Sequence, residues 1–312
     1  MSKASIAGLH HVTALCGDPR ANHRFYTGVL GLRLVKRTVN FDDPGTYHLY
    51  YGDGAGSPGT ILTFFPWLGM PRGRLGAGQA VATAFRTAEG SLGWWKGRLE
   101  DGKVPVRGPV TRFGESVIEF ADPDGLGLEI VAAAGELPAT AGWGRSAVPP
   151  EHALRGFHAV TISESARDGT DGVVAGQMGY ELIGEEQGRF RYQAPGAGLA
   201  ALLDVLVQPG GRPGLQGAGT VHHVAFRVGD ETVQLGWREK LARSGLNVSP
   251  VMDRSYFHSI YYREPGGVLF EIATNGPGFA TDEKAESLGE RLMLPAQYEA
   301  ARAQIERNLP PL

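Results

Sequence analysis

Glu271 stands between Phe270 and Ile272 in a run whose other side chains are mostly apolar. A carboxylate in such a strand is costly to bury unless it meets a partner charge or a metal ion. Two histidine doublets offer partners, His222-His223 in Val221–Phe226 and His10-His11 in Leu9–Thr13. His11, His223 and Glu271 together would leave roughly three positions free on an octahedral ion, as in non-haem Fe(II) oxygenases. Hydrolytic zinc sites also use two histidines and a glutamate, so the ligand set alone does not choose the metal. The competing explanation is two packed histidines and an ion-paired glutamate. Strict strand alternation puts His11 on one face with Leu9, Thr13 and Leu15, and His10 on the other with Val12 and Ala14. One member of each doublet then faces the ion, and His10 and His222 lie behind the ligands or against a helix.

The elements that must carry these residues emerge from an internal repeat. Leu235-Gly236-Trp237 echoes Leu92-Gly93-Trp94, Glu264-Pro265-Gly266-Gly267 echoes Asp122-Pro123-Asp124-Gly125, and Glu271 falls on Glu129. More faintly, Met178–Ile183 follows Leu30–Val35, and His11-Val12-Thr13 overlies Ala159-Val160-Thr161. Four units result, beginning near Leu9, Val81, Phe157 and Val221, each reading as strand, helix and three strands. Helices are expected from Pro19 to Val29, stopped at Gly31, and from a cap at Asp230 through Arg243 to Gly245. The expected fold is α+β: four βαβββ modules in two tandem domains with concave mixed sheets, followed by a helical tail. The domains are placed at 1–137 and 156–280, with a Pro/Gly-rich linker at 138–155 and the tail at 281–312. Two amphipathic helices, Asp282–Leu294 and Gln297–Asn308, are expected to pack on the second domain.

The positions equivalent to His223 are His11, Ala82 and Ala159 in the other units. Only the first and last units therefore offer a histidine, and only the second and fourth a late-strand glutamate. If units one and four share a sheet, His11, His223 and Glu271 converge, while units two and three keep Glu129 alone. Alanines at both silent positions favour a metal over core packing.

A chain of 312 residues with 42% hydrophobic and 20% charged side chains has the composition of a globular protein of two ordinary domains. A net charge of -3 without a basic run argues against nucleic acid or an anionic membrane as partner. Neither a signal peptide nor an apolar span is legible, so a cytoplasmic location is expected. Cys16 is the single cysteine; it excludes an internal disulfide and reads as buried filler.

The fourfold repeat with ligands on its first and last units resembles the vicinal oxygen chelate superfamily of glyoxalase I, thiol transferases, bleomycin-binding proteins and extradiol dioxygenases. Gly8–Thr13, Tyr47–Gly52, Pro58–Thr60, Val221–Ala225 and Arg263–Thr274 resemble, more narrowly, its hydroquinone-type ring-cleaving dioxygenases. That resemblance implies Fe(II) on His11, His223 and Glu271; replacement by Mn(II) stays open. It also implies that O2 and a small aromatic substrate are the partners; a homo-oligomer through the tail is a secondary expectation. Tyr261 and Arg254 match the family's additional active-site tyrosine and arginine; Thr13, His10 and His222 match residues surrounding its ligands. His48, His158 and His258 are read as structural. Two other readings stay open: a glyoxalase-type isomerase or thiol transferase, and a metal-free protein that sequesters an aromatic compound. The first is weakened because unit one carries Thr63, not a glutamate, in its last strand.

Overall fold

The computed structural model describes residues 5–133, 140–196 and 198–312. Module one comprises β1 (Leu9–Cys16), α1 (Pro19–His23), β2 (Arg33–Asn40), β3 (Asp43–Gly52) and β4 (Ile61–Pro66). Module two runs through β5 (Gln79–Thr87), α2 (Leu92–Asp101), β6 (Arg107–Arg112), β7 (Glu115–Ala121) and β8 (Gly127–Ala132). In module three follow β9 (Phe157–Glu164), α3 (Asp168–Val174), β10 (Glu181–Glu186), β11 (Arg189–Gln193) and β12 (Leu202–Val207). Module four holds β13 (Thr220–Val228), α4 (Glu231–Arg243), β14 (Met252–Asp253), β15 (Phe257–Arg263) and β16 (Leu269–Pro277). The protein is α+β, and its tandem duplication builds two curled, mixed eight-stranded sheets.

Each sheet draws one module from either half of the chain. The first runs β14-β15-β16-β13-β1-β4-β3-β2 and the second β10-β11-β12-β9-β5-β8-β7-β6. Modules one and four therefore meet through the antiparallel pair β1–β13, and modules two and three through β5–β9. Val12, Val224, Phe226 and Phe270 of the first sheet share one apolar cluster with Phe85 and Phe157 of the second and Trp95 of α2. The opposite, concave faces are left for polar chemistry.

Local signals hold where capping chemistry is explicit. The Asp230 carboxylate accepts the Val233 N–H at 2.9 Å, opening α4, and Gly245 beyond its end takes φ +90°. The first helix begins at Pro19 as expected but widens into a π-helical stretch over Arg24–Val29. Residue 137 and Pro138, at the expected linker boundary, lie outside the described residues.

The tail departs from expectation twice. Its Asp282–Leu294 stretch is one 3-10 turn, Ala285–Ser287, in irregular chain; only Ala296–Ala301 (3-10) and α5 (Arg302–Asn308) continue helically. Gly289 at φ +78° lies against the Leu34 carbonyl, which a helix would not permit. The tail also packs chiefly on module one, although Tyr256 of the second half donates to Asp282 at 2.9 Å and Leu288 clusters with Tyr256 and Phe257. Lys36 of β2, fully buried, takes both Asp282 and Glu283 at 2.5 Å, while Arg33 donates to the carbonyls of Glu286 and Leu288.

Candidate metal centre

β-Bulges at both histidine doublets re-aim their side chains. Along β1–β13 the pairing steps from Leu9↔Phe226 to His11↔Ala225, and from Thr13↔His223 to Ala14↔Val221, leaving His10 and His222 as the extra residues. Strict alternation would send them to the opposite face. Instead His10 Nδ1 lies 2.9 Å from His11 Nδ1, and His222 Nδ1 lies 2.8 Å from His223 Nδ1. The outer histidines thus orient the inner ones, as partners behind a metal ligand do.

Glu271 reaches the same point from β16, which runs parallel to β13 with Glu271 opposite Ala225. Its Oε2 is 2.9 Å from His223 Nε2 and 3.3 Å from His11 Nε2, and those nitrogens are 3.2 Å apart. Cis ligands of an octahedral ion with bonds of about 2.1 Å stand ~3 Å apart, so the triangle fits a divalent cation. With the inner protons on Nδ1, the two Nε2 lone pairs and a carboxylate oxygen face one another, an arrangement a shared cation makes favourable. Without a cation, burial works to raise the Glu271 carboxyl, but charge and hydrogen bonds from imidazoles that carry a proton on Nε2 outweigh it and hold it well below the usual carboxylate range. Burial, then the neighbouring inner ring, lowers His10 and His222 to about 3, keeping both outer rings neutral.

The other oxygen of Glu271 accepts a 2.5 Å hydrogen bond from Ser259 of β15, a residue the sequence reasoning passed over. Ser259 and Tyr261 are two apart in one strand and so share a face, the signal that could have found it. Tyr261 pairs opposite Glu271, and its hydroxyl accepts from Arg254 Nε at 3.3 Å. Both line a cavity of about 350 Å³ with His11, His222 and His223. Burial, aided by the Glu271 charge, pushes the Tyr261 phenol up. Thr13 is buried beneath the cavity, its hydroxyl 2.8 Å from that of Thr63. His48, read from sequence as structural, lies in the cavity wall: its Nε2 meets the Thr63 hydroxyl and its Nδ1 the Tyr50 hydroxyl, both at 2.8 Å. Burial, then His11, lowers His48 well below its ordinary value.

The second sheet is an internal control. Its registers put Ala159 and Ala82 where the first sheet has His11 and His223, and Glu129 and Asp204 where it has Glu271 and Thr63. Glu129 is gripped by Arg112 Nη1 at 2.8 and 2.9 Å, and Asp204 by Arg191 at 2.8 and 3.0 Å. Phe113, at φ +49°, packs on Gly184 and beneath the Arg191 guanidinium at 4.3 Å; its counterpart at φ +64° is the small Ser255. Arginines and a phenyl ring fill the second cup. Among the described residues, His11, His223 and Glu271 are the cluster able to hold a metal.

The "Glyoxalase/Bleomycin resistance protein/Dioxygenase superfamily" profile matches residues 8–130. The chain is 49% identical over 311 residues to "Putative ring-cleaving dioxygenase MhqO" of Bacillus subtilis, covering 100% of this chain and 98% of that protein. The chain belongs to the ring-cleaving dioxygenases of this superfamily. It is also 36% identical to the "Chlorohydroquinone/hydroquinone 1,2-dioxygenase" of Sphingobium indicum, over 97% of this chain and 96% of that one. A crystal structure titled a putative dioxygenase from Bacillus subtilis superposes with a TM-score of 0.93 at 48% identity, covering 99% and 98% of the two chains. The dioxygenase family implies a metal ion, and the His/His/Glu triangle offers it a place. Among the described residues no helix is long and apolar enough to cross a membrane.

Proposed function

We propose that this ring-cleaving dioxygenase binds Fe(II) through His11, His223 and Glu271 and uses O2 to open a hydroquinone or related diphenol. The observation that carries this reading is the three-atom triangle of 2.9 to 3.3 Å, each imidazole held from behind through Nδ1. Ferrous iron bound there supplies open coordination positions at which a ring oxygen and O2 can be brought together. Thr63 stands where the pseudo-twofold relation of modules one and four would require a second carboxylate, which supports a three-residue ligand set.

The remaining residues bind, orient and exclude water. Phe41, Phe65, Trp67, Phe257 and Leu269 give the cavity walls suited to an aromatic ring, in a volume typical of small-molecule sites. The para oxygens of a hydroquinone cannot both reach one ion. The Tyr261 hydroxyl, across the strand pair from Glu271 and bonded to Arg254, is placed to hold the distal oxygen, and the guanidinium to stabilise negative charge developing on it. Thr13, Thr63, His48 and Tyr50 form a hydrogen-bonded string under the ring site.

Anaerobic loading with Fe(II), then O2 uptake with a panel of hydroquinones and catechols, tests the reading. Uptake stoichiometric with ring opening is expected, fastest with hydroquinones. Metal binding without uptake, accompanied by isomerisation of a glutathione hemithioacetal, would overturn it.

A further inference from the structure

The entrance to the cavity is formed by chain that the second cup lacks. There Glu186 pairs with Arg189 across a tight turn, whereas their register counterparts Thr38 and His48 are joined by a longer hairpin bearing Asn40, Phe41 and Asp42. All three line the cavity. The tip is tied down from several sides. The Asp42 N–H donates to Asn40 Oδ1 at 3.0 Å, and the Tyr298 hydroxyl, from the tail, donates to the Phe41 carbonyl at 2.7 Å. From across the entrance, Arg254 Nη1 donates to Asp42 Oδ2 at 3.3 Å.

Arg254 is the one permanent cation among the described residues lining the cavity. It is already committed, to Asp42 through Nη1 and to the Tyr261 hydroxyl through Nε. An anionic ring substituent entering this cavity would find no unpaired side-chain cation and would meet Asp42 as a like charge. Uncharged substituents meet aromatic wall.

We propose that Asp42 is a specificity-determining residue: by holding Arg254 and placing a carboxylate at the entrance, it restricts the site to diphenols without an anionic ring substituent. This rests on the diphenol reading above. The test is anaerobic calorimetric binding to the Fe(II)-loaded full chain of methylhydroquinone and 2,5-dihydroxybenzenesulfonate, whose sulfonate is a poor metal ligand. The wild type should bind the sulfonate at least about tenfold more weakly, and Asp42→Asn should close most of that gap while changing methylhydroquinone affinity by less than about threefold. Asp42→Ala should follow Asp42→Asn, since both lack the charge. Binding of both compounds with a ratio that starts near one, or that neither variant moves, overturns this inference and leaves the diphenol reading intact. Failure of methylhydroquinone to bind the wild type removes the diphenol reading and this inference with it.

Discussion

Replacing Ser259 with alanine removes one oxygen atom from behind the candidate metal centre. Ser259 is fully buried, and its hydroxyl donates at 2.5 Å to Oε1 of Glu271, the oxygen turned away from the histidines. A hydrogen bond to an ionised group contributes about 1.5–3 kcal/mol, equivalent to roughly a 10- to 150-fold change in an equilibrium constant. Loss of a partner behind a metal ligand costs ~10- to 100-fold in metal affinity, which is the same range. We therefore expect Ser259→Ala to raise the Fe(II) dissociation constant about 10- to 100-fold. Anaerobic competition against a chelator reads that constant, with a thermal melt confirming the fold. At saturating iron, turnover should stay within a few-fold of wild type, and Ser259→Thr, which keeps the hydroxyl, should recover much of the affinity. Unchanged affinity in a folded alanine variant would refute the idea that Ser259 sets the carboxylate. Turnover that stays low at saturating metal would instead place Ser259 in the chemistry itself.

Glu271→Gln and His223→Ala should lose both bound metal and turnover, whereas Glu129→Gln should keep both and lose ~1–3 kcal/mol of stability through its lost charge-assisted bonds to Arg112, which retains Glu119; metal content and denaturant melts read these outcomes. Burial and the neighbouring Glu264 push the Glu164 carboxyl up to about 8. The folded state therefore keeps a proton that the unfolded chain sheds near pH 4.5, and stability falls as pH rises from about 4.5 to 8. Glu164→Gln should flatten that slope in denaturant titrations across the window, and an unchanged slope would contradict the assignment. Lys36→Met should cost about 3–5 kcal/mol by leaving the carboxylates of Asp282 and Glu283 without their buried cation. The same variant should speed proteolysis of the tail.

The legible part of the site was the part fixed by the repeat. Once His11, His223 and Glu271 occupied matched positions of related modules, pairing modules one and four was enough to bring them together, and the strand order does so. Alternation failed at His10 and His222, because a bulge adds one residue to a strand and leaves no distinctive mark in a doublet of identical side chains. The entrance was hidden for a different reason. Asn40, Phe41 and Asp42 matter through hairpin length, visible only when Thr38 and His48 are set over Glu186 and Arg189. Ser259 carried a period-two signal beside Tyr261 that went unused. The tail misled because Asp282 and Glu283, which read as ordinary helical surface, are the counter-charges of a buried lysine in another module.

The two cups also determine which residue type carries the metal signal in this fold. Glu129 and Glu271 share a strand position and are both buried, so the late-strand carboxylate alone does not distinguish a metal site from an ion pair. What differs is the first strand of each module. Where it offers alanine at 82 and 159, the buried charge must be met from elsewhere, and Arg112 meets it. Where it offers His223 and His11, two imidazoles are set beside the carboxylate and Arg254, the counterpart of Arg112 at the head of the same hairpin, stays at the entrance with Asp42 and Tyr261. An arginine swung inward and a cation held by histidines are alternative answers to one desolvation problem. Introducing histidines at Ala82 and Ala159 would leave Arg112 bound to Glu129, with Phe113 still filling the cup; a second metal site would require removing those side chains as well.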